Sequence, residues 1–171
     1  MTDPDPIVDR LTDEGATVAT AESITGGRLA ARLTDGAGAS SAFLGGVVTY
    51  ATEVKISLLG VPEALVDDHG VISAECARSM AENARSLLGA TYGVSTTGVA
   101  GPDTQEGQPV GTVFIAVAAP DDTQVLELAL DGDRSEIQAA TVARALSALG
   151  DMMDAVGRSS AGRAAEHSGL G

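Results

Sequence analysis

The sequence predicts a single three-layer α/β/α domain, with a central mixed sheet and helices on both faces of the sheet. Helical patterns alternate with strand patterns along most of the chain. The segments 91–97 and 110–118 are nearly continuous runs of small or β-branched apolar residues, which is typical of strands covered on both faces. The length of 171 residues suits one domain, which we assign to residues 1–157.

The first half of the chain begins with a helix and then alternates strands with short helices. Ile7, Val8 and Leu11 lie on one side of the first helical pattern, which ends at Gly15. Pro62 suits the first turn of a helix, because it has no amide hydrogen to leave unpaired. The predicted elements of this half are a helix at 5–14, a strand at 17–21, a helix at 28–33, a strand at 43–51 and short helices at 53–59 and 62–69.

The second half contains the longer elements. Ser73 is a good N-cap for a helix whose apolar positions keep a helical period up to Gly89. Residues 123–130 alternate in polarity like a peripheral strand, and apolar residues spaced by threes and fours predict a final helix over 134–156. Ser, Gly, Ala and charged residues predominate beyond it, so we expect a disordered tail at 158–171.

The composition is strongly acidic, with 24 Asp and Glu against 10 Lys and Arg and a formal net charge of -14. This balance argues against nucleic acid as a partner, because phosphate neutralisation needs a basic surface. Carboxylates hold water well in concentrated salt, so we expect a salt-loving cytoplasm as the source. The first nine residues have no apolar core and the sequence contains no apolar run of about 18 residues, so we expect neither a signal peptide nor membrane association. The single cysteine, Cys76, is interpreted as a small buried apolar residue.

The segment Ala21-Glu22-Ser23-Ile24-Thr25-Gly26-Gly27 lies between a predicted strand and a predicted helix. Glycines at a helix start let backbone N–H groups approach an anion, and the helix dipole adds partial positive charge there. A phosphate or a developing oxyanion would fit beside Thr25, Gly26 and Gly27. The alternative is that Ser23 or Thr25 only caps the helix and that the glycines only permit the turn.

Lys55 is the only lysine of the chain and lies one turn inside a helix that follows a strand. A lysine whose pKa is lowered by burial can accept the proton of a serine hydroxyl in place of histidine. His69 lies at a predicted helix end and His167 in the tail, so neither is an attractive base and no metal site is expected. The alternative is that Lys55 is a solvated surface residue.

Two further segments could contribute to a ligand site. Gly98-Val99-Ala100-Gly101-Pro102-Asp103 follows an apolar strand, and the polar stretch 104–108 could form a mobile loop over a pocket. The alternative is an ordinary turn that needs the backbone freedom of glycine. Arg134 begins the final helix and could bind phosphate in a bidentate manner, or it could face solvent beside a capping Asp133.

Taken together, these segments resemble the CinA C-terminal domain family, whose stand-alone members are nicotinamide-nucleotide amidases. The matching segments cover nearly the whole body of the chain in order. They are AESITGG at 21–27, GASSAF at 38–43, VVTYATEVK at 47–55, LLGV at 58–61, HGVIS at 69–73, TGVAGPD at 97–103, PVGTVFIAV at 109–117 and DGDR at 131–134. Larger CinA proteins carry an additional N-terminal domain, which we do not expect here.

The resemblance implies hydrolysis of the carboxamide of nicotinamide mononucleotide to nicotinic acid mononucleotide and ammonia, without a cofactor. It places the catalytic serine at Ser23, with Lys55 and Tyr50 as the proton-handling pair. Many relatives have cysteine where this chain has Ile24, so that thiol is not required. Ser40 and Ser41 also match the family pattern, and one of their hydroxyls could be the nucleophile instead.

The resemblance leaves other functions open. Substrate contacts are expected from Thr25, Gly26, Gly27, Ser40, Ser41, Gly98, Gly101 and Arg134, and a homo-oligomer is expected because family members commonly assemble. A non-catalytic nucleotide-sensing module is the main alternative, since a phosphate site needs no nucleophile. An amidase that acts on a different small amide is a second alternative. A purely structural subunit is disfavoured, because polar glycine-rich segments recur at several strand ends.

Overall fold

Five strands form one mixed sheet in the computed structural model, which describes residues 6–168 and the side chains of residues 6–163. The strand order across the sheet is β2-β1-β3-β4-β5. The strands are β1 (Val18–Glu22), β2 (Phe43–Val48), β3 (Tyr92–Gly98), β4 (Thr112–Ala118) and β5 (Thr123–Ala129). The helices are α1 (Pro6–Asp13), α2 (Arg28–Thr34), α3 (Ala39–Ala42), α4 (Thr52–Ser57), α5 (Glu63–His69), α6 (Ala74–Leu88) and α7 (Arg134–Ser168).

The strands β2, β1 and β3 are parallel, whereas β4 and β5 are antiparallel to their neighbours. Every residue of β4 is buried, as the continuous apolar run predicted. The edge strands β2 and β5 alternate between more and less exposed residues. The carboxyl ends of β2, β1 and β3 therefore lie at the same edge of the sheet, and the loops that follow these strands meet there.

Helices cover both faces of the sheet and create two apolar cores. On one face, α1, α2 and α7 bury residues such as Leu11, Leu33 and Leu149 against the sheet. On the other face, α6 buries Cys76 and Met80. Full burial of one leucine side chain contributes about 1.5–3 kcal/mol to the stability of the fold. Together the buried residues of the two cores fix the position of the sheet edge at which the loops meet. The predicted three-layer α/β/α architecture is confirmed.

The ends of several elements differ from the prediction. The loop expected before β2 contains the short helix α3, and β2 ends at Val48 rather than at residue 51. The last helix continues to Ser168, so residues 158–168 are helical rather than the disordered tail that their polar composition predicted. This segment contains several alanines and no proline, so its helix propensity supports continuation even without apolar periodicity. Residues 169–171 lie outside the described residues.

Candidate active site

A small cavity of about 120 Å³ lies at the carboxyl edge of the parallel strands. Ser23 follows β1 directly, Tyr50 follows β2, and the segment 98–101 follows β3. These three loops, together with α4 and the residues before α6, enclose the cavity. Its lining consists of Ser23, Ile24, Tyr50, Lys55, Val71, Ile72, Gly98, Val99, Ala100, Gly101, Asp103, Gln105 and Arg134.

Lys55 is almost completely buried, with 1% of its surface exposed. It lies one turn inside α4, so its side chain returns to the end of β2. The Nζ atom donates to the Ser23 Oγ at 3.0 Å, to the Thr49 carbonyl oxygen at 2.7 Å and to the Tyr50 carbonyl oxygen at 3.1 Å. The only lysine of the chain is therefore held against the first serine after β1, and the alternative of a solvated surface lysine is excluded.

Burial lowers the pKa of Lys55 from its ordinary value of 10.5, because the charged form loses its hydration. Two neighbouring groups act in the opposite direction, namely the thiol of Cys76 and the carboxylate of Glu106. Burial raises the pKa of Cys76 to about 11, so this thiol is neutral near pH 7. Burial therefore destabilises the charged form of Lys55, and none of its three hydrogen-bond partners carries a negative charge that would compensate for the lost hydration.

The turn between β1 and α2 is organised by Glu22, whose role the sequence did not reveal. Its fully buried carboxylate accepts hydrogen bonds from the backbone N–H of Gly27 at 3.0 Å, Leu29 at 3.0 Å and Ala30 at 2.8 Å. The Thr25 hydroxyl donates to the same carboxylate at 2.6 Å. A carboxylate that accepts the N-terminal amides of a helix caps that helix from within the protein.

These bonds occupy the amides that were expected to bind a substrate anion at the start of α2, although Gly26 itself lines the open groove beside the cavity. The Thr25 hydroxyl is buried and bound to Glu22 and to the hydroxyl of Thr96, and the Gly27 N–H is bound to Glu22. The Gly26 N–H donates to the Ser23 carbonyl oxygen at 3.1 Å. Gly26 and Gly27 both have positive φ angles, 57° and 98°, so glycine is needed there for the turn itself.

Tyr50 and Arg134 form the outer wall of the cavity. Arg134 donates through Nη2 to the Tyr50 hydroxyl at 2.6 Å and through Nη1 to the Gly101 carbonyl oxygen at 2.8 Å. Lys55 contacts the main-chain carbonyl of Tyr50, whereas the hydroxyl of this tyrosine is bound by Arg134. No hydrogen bond joins the Tyr50 hydroxyl to Lys55 or Ser23 among the described residues, whereas the Lys55 Nζ contacts the Ser23 Oγ directly.

A wider, open groove of about 710 Å³ adjoins the cavity and shares Tyr50 and Arg134 with it. Two arginines line this groove, Arg28 at the start of α2 and Arg134 at the start of α7. Arg28 was not singled out in the sequence, since its position matters only once α7 packs beside α2.

Asp133 and Glu136 cap the start of α7 reciprocally, because Asp133 accepts from the Glu136 N–H and Glu136 accepts from the Asp133 N–H.

Gly98 and Gly101 line the cavity, as the sequence suggested for the loop after β3. A side chain at Gly98 would place its Cβ 2.5 Å from the Thr112 carbonyl oxygen, so glycine permits the close approach of β4. The Val99 N–H donates to that same carbonyl oxygen at 2.9 Å.

Ser40 and Ser41 lie at the opposite end of the sheet from the cavity. They belong to α3, which precedes β2, and both are exposed. The six residues of β2 separate them from Thr49, a span of roughly 20 Å at about 3.3 Å per residue. Their assignment to the substrate site is therefore corrected, because residues before and after a strand emerge at opposite edges of the sheet.

The described residues provide neither a metal site nor a membrane-spanning helix. Among these residues, no group of three or more His, Cys, Asp or Glu side chains could hold a metal ion. None of the described helices combines the length and apolar character needed to cross a membrane.

Comparison with known proteins identifies the family. The model of the CinA C-terminal domain matches residues 4–153. A CinA-like protein of Frankia casuarinae is 54% identical over 143 residues, which are 84% of this chain and 33% of the relative. A putative competence-damage inducible protein of Bacillus pumilus is 51% identical over 128 residues, which are 75% of this chain and 31% of the relative. The chain spans about a third of the length of these curated relatives.

Solved structures agree with the sequence comparison. The competence damage-inducible protein A of Klebsiella pneumoniae has a TM-score of 0.84 and 33% identity, over 86% of this chain and 92% of that chain. The competence/damage inducible protein of Agrobacterium tumefaciens has a TM-score of 0.80 and 38% identity, over 84% of this chain and 88% of that chain. By sequence and by structure, the chain belongs to the CinA C-terminal domain family.

Proposed function

We propose that this chain hydrolyses the carboxamide of nicotinamide mononucleotide, with Ser23 as the nucleophile and Lys55 as the general base. The proposal depends above all on the 3.0 Å hydrogen bond between the buried Lys55 Nζ and the Ser23 Oγ in the wall of a small cavity. A nucleophile within hydrogen-bond reach of a base is the arrangement that covalent amide hydrolysis requires. The resemblance to nicotinamide-nucleotide amidases supplies the substrate.

The three hydrogen-bond partners of Lys55 are compatible with both the neutral amine and the ammonium ion. A neutral amine has two N–H donors and one lone pair. The carbonyl oxygens of Thr49 and Tyr50 can only accept, so they take the two N–H groups. The lone pair then points to Ser23, which donates its hydroxyl proton to the amine. Loss of one proton from Lys55 therefore reverses the direction of the bond to Ser23 without moving either residue.

The reaction then proceeds in two halves. The Ser23 Oγ bonds to the carboxamide carbon while its proton passes to Lys55, and the tetrahedral intermediate expels ammonia as Lys55 returns that proton to the leaving nitrogen. A water molecule next attacks the Ser23 ester with Lys55 again as the base, which releases the carboxylic acid and restores the serine. Each half conserves protons, so no cofactor is required in this scheme.

The oxyanion of each intermediate needs hydrogen-bond donors in the cavity. The Val99 N–H is already bonded to Thr112, so the backbone amides of Ala100 and Gly101 are the candidates in this segment. One well-placed donor of this type contributes about 3–4 kcal/mol to the transition state. The turn at Gly26 and Gly27 is not a candidate, because both of its N–H groups are bonded within the protein.

The adjoining groove provides a place for the ribose and phosphate. In the proposed binding mode the ring carrying the carboxamide enters the small cavity, and the rest of the nucleotide leaves past Tyr50 and Arg134 into the groove. Arg28 and Arg134 are the guanidinium groups available there for the phosphate. Asp133 also lines the groove, so two guanidinium groups face one carboxylate there; in a chain with a net charge of -14, this local excess of positive charge favours an anionic ligand.

Ammonia release from nicotinamide mononucleotide tests the proposal. The wild-type protein is expected to release ammonia. The Ser23→Ala variant is expected to bind the nucleotide but to release no ammonia from it. Saturable binding without turnover by the wild-type protein would support the sensing module instead. Turnover of other small amides alone would keep the serine and lysine chemistry but replace the substrate.

A further inference from the structure

The loop between β3 and β4 carries a glutamate whose carboxylate reaches the residues that precede α6. Glu106 accepts hydrogen bonds from the Val71 N–H at 3.2 and 3.0 Å, through Oε1 and Oε2, and from the Ile72 N–H at 3.0 Å. Val71 and Ile72 are buried and line the cavity that contains Ser23 and Lys55. One carboxylate therefore ties the loop to a wall of the candidate site.

The backbone at Glu106 adopts a conformation that glutamate disfavours. Its φ angle is 50°, and the next residue, Gly107, also has a positive φ of 73°. Gln105 and Gln108 pair on either side through two backbone hydrogen bonds of 3.3 and 2.8 Å, so the two central residues form a tight turn. Gly, Asn and Asp suit such positions better than Glu does. The turn geometry alone therefore does not explain a glutamate at position 106, whereas the hydrogen bonds of its carboxylate to the Val71 and Ile72 amides do.

Gly70 leaves space for the same carboxylate. A side chain at Gly70 would place its Cβ 2.5 Å from the Glu106 Oε2. The segment before α6 and the loop between β3 and β4 are thus closely packed at Gly70. The loop also brings Asp103 and Gln105 to the cavity wall, so its position decides the shape of the space beside Ser23.

We propose that Glu106 is a positioning residue for the reaction proposed above: its bonds to the Val71 and Ile72 amides hold the loop 102–109 as a wall of the cavity that receives the substrate ring. This inference rests on the proposed function. Because Glu106 acts through the loop and not on the reacting atoms, its loss should affect ring binding more than the chemical step.

The negative charge of Glu106 has a second effect, on Lys55. Burial lowers the pKa of Lys55, and the Glu106 carboxylate partly offsets this by raising it. The titratable and charged groups that face Lys55 from the surrounding elements or line the same cavity are Tyr50, Cys76, Asp103, Glu106 and Arg134. Neutralising Glu106 should therefore lower the pKa of Lys55 further, which moves the rise of kcat to lower pH.

Two variants distinguish the effect of the Glu106 hydrogen bonds from the effect of its negative charge. Glu106→Asn suits the turn but is too short to reach the two amides, so kcat/KM is expected to fall about tenfold or more, mainly through KM. The better fit of asparagine to the turn offsets part of the stability lost with the two hydrogen bonds, so the variant should remain folded. Glu106→Gln keeps an acceptor oxygen and removes the charge, so the acid limb of kcat is expected to move to lower pH with a smaller change in KM. Glu53→Gln, on the exposed side of α4, is the control for charge removal and should change neither quantity.

Hydrogen exchange provides a readout that needs no turnover. The amides of Val71 and Ile72 are expected to exchange faster in Glu106→Asn than in the wild-type protein, without substrate. Unchanged exchange at these amides, or a kcat/KM of Glu106→Asn within twofold of wild type, would overturn the inference. Absence of hydrolysis by the wild-type protein would instead overturn the proposed function, so the two failures are distinguishable.

Discussion

Two strand-to-helix turns at the same edge of the sheet each bury one charged side chain, and they treat that charge in opposite ways. The turn from β1 to α2 buries Glu22, and the turn from β2 to α4 buries Lys55. Glu22 accepts from three helix amides and one hydroxyl, all donors that stabilise a negative charge. Lys55 contacts two carbonyls and one hydroxyl, and no carboxylate lies within hydrogen-bond reach of its Nζ among the described residues.

In the proposed mechanism, the difference separates a structural charge from a reactive one. The hydrogen bonds of the Glu22 carboxylate all come from donors in the turn and at the start of α2, so this side chain holds the turn. The environment of Lys55 accommodates both protonation states, and burial favours the neutral one. A buried charge with a complete set of oppositely polarised partners indicates structure, whereas a buried amine beside a hydroxyl indicates a base.

Replacing Lys55 with methionine should have the largest effect. Lys55→Met removes the base but keeps the length of the side chain, so kcat for ammonia release is expected to fall about 10³-fold or more. The variant should remain folded and bind nicotinamide mononucleotide, which circular dichroism and calorimetry would check. Near-normal turnover by this variant would exclude Lys55 from the mechanism.

Glu22→Gln should have the next largest effect, on stability rather than on turnover. The amide NH₂ of glutamine would face one of the N–H donors that the carboxylate now accepts, and the buried cap would be lost. The free energy of unfolding is expected to fall by about 2–4 kcal/mol, as measured by urea denaturation.

The matched control for Glu22→Gln is Glu136→Gln. Glu136 also accepts a helix-start amide, but it does so at an exposed position. Its replacement should cost clearly less stability. Equal losses in the two variants would contradict the structural role of burial at Glu22.

The stability of the protein should also depend on pH through Lys55. Its pKa is lowered in the folded state, so between that pKa and 10.5 the unfolded chain binds more protons and stability rises with pH. The slope contributed by this one group is at most about 1.4 kcal/mol per pH unit. Cys76 acts oppositely above pH 9, because its pKa is raised from 9.0 to about 11 and its ionisation favours the unfolded chain.

Denaturation of wild type and Lys55→Met at several pH values from neutrality to 10.5 would isolate this contribution, because Cys76 is common to both proteins. The wild-type protein should gain stability over this range relative to the variant. A constant difference between the two proteins would mean that Lys55 does not change its charge there.

The smallest effect is expected at the other end of the sheet. Ser40→Ala and Ser41→Ala should each leave kcat/KM within about twofold of wild type, because both residues are exposed and lie about the length of β2 from the cavity. Mass spectrometry of a trapped nicotinoyl ester should locate it on Ser23. An ester on Ser40 or Ser41 would reverse the assignment of the nucleophile.

The sequence predicted those features that depend on local order and missed those that depend on packing across the sheet. Lys55 stood out as the only lysine placed one turn inside a helix after a strand, and the structure buries it beside Ser23. The role of Glu22 was missed, because a carboxylate before a glycine turn gives no sign that it folds back onto the helix. Glu106 was missed because its partners lie more than 30 residues away.

The corrected residues have equally physical reasons. Ser40 and Ser41 belong to a segment that matches the family, but the direction of β2 takes them to the far edge of the sheet. The glycines at 26 and 27 have the composition of an anion site, yet an internal carboxylate already occupies the helix start. Composition identifies segments that can bind an anion, and only the packed structure shows whether the anion is part of the protein.

The most direct test of the central claim is the titration of Lys55 itself. Because the chain has a single lysine, selective isotope labelling of lysine gives one side-chain signal to follow by NMR. A midpoint below the ordinary value of 10.5 that coincides with the acid limb of kcat is the result predicted for a buried amine that acts as a base. A midpoint at or above the ordinary value of 10.5 would contradict the account, because Ser23 would then face a permanently charged ammonium ion.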